Sequence, residues 1–201
     1  NSSTEGDYKV VIAQEIIGDL QNNQKFEEAL SWIDKVKKVY PKSAFLENIK
    51  NQENAILQPI LTVNFEQNTV SNKPIHLAAN YKNTSEFSLN IYEVKDDYQG
   101  FMKYITNSWQ KENFANLKKY LVRKESYNLP TIKDYKTHKT SVELKALPSG
   151  IYVGEYLVEG KVQGNFYFIA SQSRIIYQKK NDLSSVKDEL KLVNRDNGKI
   201  L

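Results

Sequence analysis

The stretch Ala55-Ile56-Leu57-Gln58-Pro59-Ile60-Leu61-Thr62-Val63-Asn64-Phe65 is where the hydrophobic rhythm of the chain changes. Before Pro59 the apolar residues recur every three or four positions, the repeat of one helix face. After it Leu61, Val63 and Phe65 alternate with polar neighbours, the repeat of a strand with one buried face. Proline lacks an N–H and disfavours helical geometry in the residue before it, so Pro59 suits such a switch. A boundary between a helical part and a β part is therefore expected at residues 57–60.

Upstream, three apolar stripes follow one another. Ala13, Ile16, Ile17 and Leu20 form the first; Phe26, Ala29, Leu30, Ile33, Val36 and Tyr40 the second; Phe45, Ile49 and Ile56 the third. The polar run Gln21 to Gln24 separates the first two, Pro41 ends the second, and Ser43 is placed to cap the third. Short connections make neighbours antiparallel, so residues 1–58 are expected to form a helical hairpin plus a third helix.

Downstream, Ile75, Leu77, Ala79 and Tyr81 alternate, as do Phe87, Leu89 and Ile91. Further strands read at about 121–128, 139–146, 150–158, 164–170 and 173–178. Turn chemistry separates them at Ser71-Asn72-Lys73-Pro74, Asn83-Thr84-Ser85, Leu147-Pro148-Ser149-Gly150 and Glu159-Gly160-Lys161. Short strands punctuated in this way predict an antiparallel sandwich. Residues 95–119 do not alternate; they carry Phe101, Tyr104, Trp109, Phe114 and Leu117 and read as an insertion holding a short helix after Asn107. The expected fold class is α+β: a three-helix segment followed by an immunoglobulin-like β-sandwich.

Composition narrows the chemistry. The 201 residues contain no cysteine, which removes disulfides, a thiol nucleophile, iron–sulfur clusters and cysteine zinc sites. No stretch approaches the ~20 consecutive apolar residues of a membrane span. The net charge of +4 comes from 25 Lys and 3 Arg against 24 acidic residues. Nucleic-acid sites lean on arginine for bidentate contacts, so a nucleic-acid partner is not expected. The chain opens on Asn1, and the expectation is that a targeting segment has been removed or that these residues are a piece of a longer chain.

Catalytic constellations are equally sparse. His76 and His138 are the only histidines, and neither shows a metal-ligand spacing. Adjacent carboxylates such as Glu27-Glu28 and Asp96-Asp97 point apart on a helix or strand, whereas acid–base work needs them to converge. No nucleophile elbow, phosphate loop or dinucleotide glycine pattern occurs. The expectation is no catalytic residue, no metal and no small-molecule cofactor. The lysine clusters at Lys35-Lys37-Lys38-Lys42, Lys118-Lys119 with Arg123-Lys124, and Lys179-Lys180 read as solvated faces. Asn83-Thr84-Ser85 matches a glycosylation acceptor and explains itself as a turn. Recognition is expected in the insertion, where Trp109, Phe101, Tyr104 and Phe114 are candidate partner-binding residues. If they form an exposed row, the alternative reading is a cell-surface module that binds glycan or protein.

Two resemblances add to this. Phe26-Glu27-Glu28-Ala29-Leu30 through Tyr40-Pro41 resembles the second helix of a tetratricopeptide repeat, which places alanine twelve residues before proline, as Ala29 and Pro41 are here. Tyr81-Lys82-Asn83, then Leu89-Asn90-Ile91-Tyr92-Glu93-Val94, Leu147-Pro148-Ser149-Gly150-Ile151-Tyr152-Val153 and Phe166-Tyr167-Phe168-Ile169-Ala170-Ser171 together resemble an amino-terminal domain of bacterial alpha-2-macroglobulins, in the form found in Bacteroidetes. Leu190-Lys191-Leu192-Val193-Asn194-Arg195-Asp196-Asn197-Gly198-Lys199 resembles the first hairpin of that family's next domain, with Ile200 where the family usually has proline. Asp196-Asn197-Gly198 is good turn chemistry, because Asn and Gly accept a positive φ.

The resemblance implies three segments: 1–58 helical, 59–182 a macroglobulin-like sandwich with its insertion at about 95–119, and 183–201 the truncated start of a second such domain. It implies a non-enzymatic module of a large exported protease trap in the periplasm or cell envelope, anchored, if at all, through a segment outside these residues. Its partners would be other domains of the same polypeptide and, through the full-length protein, target proteases.

Overall fold

The computed structural model describes residues 2–106, 111–182 and 185–201. Three helices come first: α1 (Ser2–Asn22), α2 (Phe26–Val39) and α3 (Leu46–Leu57). Among the described residues ten strands follow: β1 (Ile60–Asn64), β2 (Asn68–Thr69), β3 (Ile75–Lys82), β4 (Glu86–Glu93), β5 (Tyr120–Asn128), β6 (His138–Leu144), β7 (Gly150–Val158), β8 (Lys161–Ala170), β9 (Ser173–Asp182) and β10 (Ser185–Asn194). Between β4 and β5 lie α4 (Tyr98–Thr106) and α5 (Lys111–Leu117). The fold is α+β, and the chain divides into two compact units.

The first unit holds Asn1–Leu61, Asn80–Ser85 and Leu129–Lys139. Its core is Val10, Ala13 and Ile17 of α1, Ala29, Ile33 and Val36 of α2, and Ile49 and Ile56 of α3, the helical spacing read from sequence. The α1–α2 turn uses Gln24 in the left-handed region, and Lys37 of α2 pairs with Glu53 of α3 at 2.8 Å. Asp7 of α1 accepts hydrogen bonds from the Ser43 hydroxyl (2.6 Å) and the Ala44 N–H (3.1 Å). The expected Ser43 cap lies two residues early. Phe45 occupies the cap position of α3, and Ser43 shapes the turn before it by accepting from the Phe45 N–H.

Two non-helical segments complete this unit. The end of β3 and the turn after it supply donors for the end of α3: Lys82 Nζ to the Ala55 carbonyl and Asn83 Nδ2 to the Ile56 carbonyl, both at 2.7 Å. The last carbonyls of a helix have no partner within it, so these two side chains act as a remote cap. Lys82 is only 8% exposed, and burial pushes its ammonium below the usual lysine range. The segment 129–139 lays Tyr135 against the helical core.

The second unit holds Thr62–Ala79, Glu86–Asn128 and Thr140–Leu201. One sheet has the order β1-β3-β6 and a second β2-β8-β7-β4-β5. Burial alternates along β1, β3 and β4, so each sheet turns one face inward, as in a sandwich. Leu89, Ile91, Tyr152 and Phe168 are fully buried, and Phe65, just past β1, stacks on Phe166 of β8 at 3.6 Å. Register in β7–β8 is pinned by aromatic rings over glycines. Phe166 lies over Gly154 and Tyr156 over Gly164, leaving no room for a Cβ at either. The antiparallel expectation needs one correction: β2, two residues long, pairs parallel with β8.

β9 and β10 form a separate antiparallel ladder from Ser173↔Asn194 to Asp182↔Ser185. Beyond it the chain turns through Asp196-Asn197-Gly198, with Gly198 at φ 71°, and Ile200 returns beside Val193. Arg195 holds the turn in place, its guanidinium donating to the Thr69 and Asn68 carbonyls at 3.0 and 2.9 Å. Lys73 pairs with Asp196 next to it.

Candidate functional site

Among the described residues, the insertion's candidate rings do not form the exposed row that a glycan- or protein-binding module would present. Phe101 and Tyr104 of α4 and Phe114 of α5 are buried, and with Ile105 and Leu117 they pack on Tyr92, Ile151, Val153, Tyr167 and Ile169. Those strand residues belong to the outer face of the five-stranded sheet, the side away from the sandwich core. The physical reason lies in the strands: β7 and β8 carry apolar residues on both faces, and the second face recruits the insertion's rings. Phe101 meets Tyr167 edge-on at 5.6 Å, and Tyr104 lies 5.5 Å from Phe114. Trp109 lies outside the described residues. The large apolar side chains that α4 does expose are Tyr98 and Met102, one turn apart.

Under α5 sits a buried carboxylate that sequence reading missed. Glu155 of β7 accepts hydrogen bonds from Lys118 Nζ (2.8 Å), Asn90 Nδ2 (3.0 Å) and the Tyr92 hydroxyl (3.3 Å). Burial alone would raise its pKa. The hydrogen bonds from Lys118, Asn90 and Tyr92 and the lysine charge outweigh that and hold the carboxyl below the usual glutamate range. Lys118 also lies over the rings of Tyr92 and Phe114, at 5.9 and 5.3 Å. Lys118 is thus not part of a solvated cluster. The available signal was a lone carboxylate amid the apolar run Ile151 to Val158.

Asp96 and Asp97 also have partners. The Tyr120 hydroxyl donates to Asp96, while Asp97 caps α4 by accepting from the Gly100 N–H at 2.7 Å. His76 is exposed, as its place between Ile75 and Leu77 implies. His138 has a partner, its Nε2 lying 2.8 Å from Asp134 Oδ1. Tyr135 adopts a positive φ of 59°, and the segment from residue 134 to residue 138 brings the two side chains together without a helix. Among the described residues, no group of three or more metal-ligating side chains is placed to hold an ion. Asn83 spends its amide on the end of α3, which explains the turn better than a glycan does.

A second surface lies on the β9–β10 ladder. Ile175, Tyr177, Leu190, Leu192 and Leu201 share one face by register and are 45–69% exposed. Contiguous exposed apolar residues mark contact surfaces more often than chance does.

No protein-family model matches the chain, and no curated protein matches it. Among solved structures, native alpha-2-macroglobulin from Escherichia coli spanning domains MG0-NIE-MG1 is similar with a TM-score of 0.52 at 14% identity, over 70% of this chain and 47% of that one. The chain therefore spans about half the length of that structure. The same E. coli protein spanning NIE-MG1 gives a TM-score of 0.47 at 16% identity, over 72% of this chain and 74% of that one. At 14% identity the likeness to the MG0-NIE-MG1 structure is one of fold. No helix among the described residues is long and apolar enough to cross a membrane.

Proposed function

We propose that this chain is a non-enzymatic structural module of a large bacterial alpha-2-macroglobulin-like protein, with the sandwich as a building block and the helices as its tetratricopeptide-like lead-in. The carrying observation is the fold similarity to the E. coli MG0-NIE-MG1 structure. The polar groups support a structural role, because the prominent ones fasten the fold: Glu155 and Lys118 hold the insertion, and Lys82 and Asn83 cap a helix. In this reading, other domains of the same polypeptide are the partners. The β9–β10 ladder opens the next sandwich, and its exposed apolar face belongs to that junction. The whole protein is exported to the periplasm or cell envelope and traps proteases.

The natural open reading frame tests the proposal. It is expected to run several times this length and to encode further sandwich domains; a stop codon immediately after Leu201 would reject it. For the trapping role, the purified full-length protein is expected to change hydrodynamic size on limited proteolysis and to shield the protease from a large substrate. An unchanged size with an unshielded protease would remove that role.

A further inference from the structure

β2 and the residues just after it carry two hydroxyls into the sandwich. Thr69 and Ser71 are 4% and 2% exposed, while Asn68 and Asn72 on either side face solvent. Strand alternation turns both hydroxyls inward. The backbone that bears them is pinned. The Ser171 N–H donates to the Thr69 carbonyl at 3.0 Å, the Ser71 N–H to the Ser171 carbonyl at 3.4 Å, and the Asn72 N–H to the Leu147 carbonyl at 2.7 Å. Neither side chain can swing out to solvent without breaking these bonds. Yet neither Thr69 Oγ1 nor Ser71 Oγ has a hydrogen-bond partner among the described residues, and both oxygens are sealed from the surface. A hydroxyl buried without a partner costs more than valine or alanine would in its place.

The side chains level with Thr69 are small. Thr69 faces Ala170 across the ladder, and Ala170 faces Gly150 of β7, so three adjacent strands present a hydroxyl, a methyl and a hydrogen. An occupant that satisfies both hydroxyls must donate and accept hydrogen bonds and be small enough to reach sealed oxygens. It must also carry no positive charge, because the Arg195 guanidinium already lies against this strand, donating to the Asn68 and Thr69 carbonyls at 2.9 and 3.0 Å. Water meets all of these conditions.

We propose that Thr69 and Ser71 hold one internal water molecule, bridging the two hydroxyls, as a constituent of the sandwich core. Buried waters of this kind satisfy polar groups that the protein leaves unpaired and are costly to remove. The bridge would fasten β2, which pairs with β8 through only two residues, and so steady the strand that Arg195 grips. The inference stands on this geometry and does not depend on the proposed function.

A high-resolution crystal structure of the whole chain tests it directly. One water oxygen is expected within hydrogen-bond distance of both Thr69 Oγ1 and Ser71 Oγ. Hydroxyls without such a shared water, or bonded to protein groups instead, would overturn the proposal. Urea unfolding gives an independent reading. Thr69→Val and Ser71→Ala each remove one hydroxyl with little change of shape, and each is expected to lower the folding equilibrium constant roughly fivefold. The double substitution is expected to lower it by less than the product of the two, because either change alone releases the shared water. Single variants at least as stable as the unaltered protein, or effects that simply multiply, would overturn it as well.

Discussion

Two sheet faces in the second unit are built from similar residues and meet different fates. Ile151, Val153, Tyr167 and Ile169 lie beneath two helices, whereas Ile175, Tyr177, Leu190, Leu192 and Leu201 face solvent. Both faces follow from strand alternation, and their strands are of similar length. What separates them is what the rest of the chain places above them: an aromatic excursion between β4 and β5 in one case, exposure in the other. An apolar strand face is therefore a demand for a cover, and the strand itself does not say where the cover comes from.

Four substitutions would break or sharpen this contrast. The largest effect is expected on the sandwich's inner side, where Phe168→Ala removes a fully buried ring stacked on Tyr152 and is expected to cost about 3–5 kcal/mol in urea unfolding. A cost below about 1 kcal/mol would mean that the inner face is not the main core. Phe114→Ala acts on the covered outer face and is expected to cost about 2–3 kcal/mol, since a satellite cluster relaxes more readily than the central one. A cost equal to that of Phe168→Ala would erase the distinction between the two sides.

Lys118→Met is expected to cost about 1–2 kcal/mol at neutral pH. This is below the full penalty for breaking a buried pair, because the Lys118 side chain is 30% exposed. The pH dependence has a definite sign. Glu155 has a folded pKa depressed below its ordinary 4.5, so its contribution is complete above that value and is lost as pH falls through the folded one. The melting-temperature gap between the unaltered protein and Lys118→Met should accordingly narrow in acid, and a gap that widens there would contradict the pairing. The smallest effect belongs to the exposed ladder, where Leu190→Lys is expected to shift stability by no more than about 0.5 kcal/mol while reducing dye binding. A loss above about 1 kcal/mol would show that this face is covered after all.

The helices and most strands were legible because burial imposes a period, and Val10 to Ile56 and Leu61 to Phe168 display it. β2 was invisible for the opposite reason, since two residues cannot show a period and its parallel partner lies a hundred residues away. The insertion's rings were visible as residues but not as core. Their burial depends on the outer face of β7 and β8, whose apolar character reads in sequence as a strand buried on both sides. Glu155, Lys82 and Asp134 were missed because their partners are set by tertiary folding. A carboxylate looks the same in sequence whether it faces water or an ammonium. The α+β class was thus readable, while the polar groups that lock its parts were not.

The cap that Lys82 and Asn83 place on α3 bears on how the protein can be dissected. A scissor cut at Pro59, where the sequence changes rhythm, would give a helical piece whose last turn has lost its hydrogen-bond donors and whose core has lost the Tyr135 ring. To transplant these helices onto another scaffold, the graft must carry the β3–β4 turn and the segment from Leu129 to Lys139 along with them.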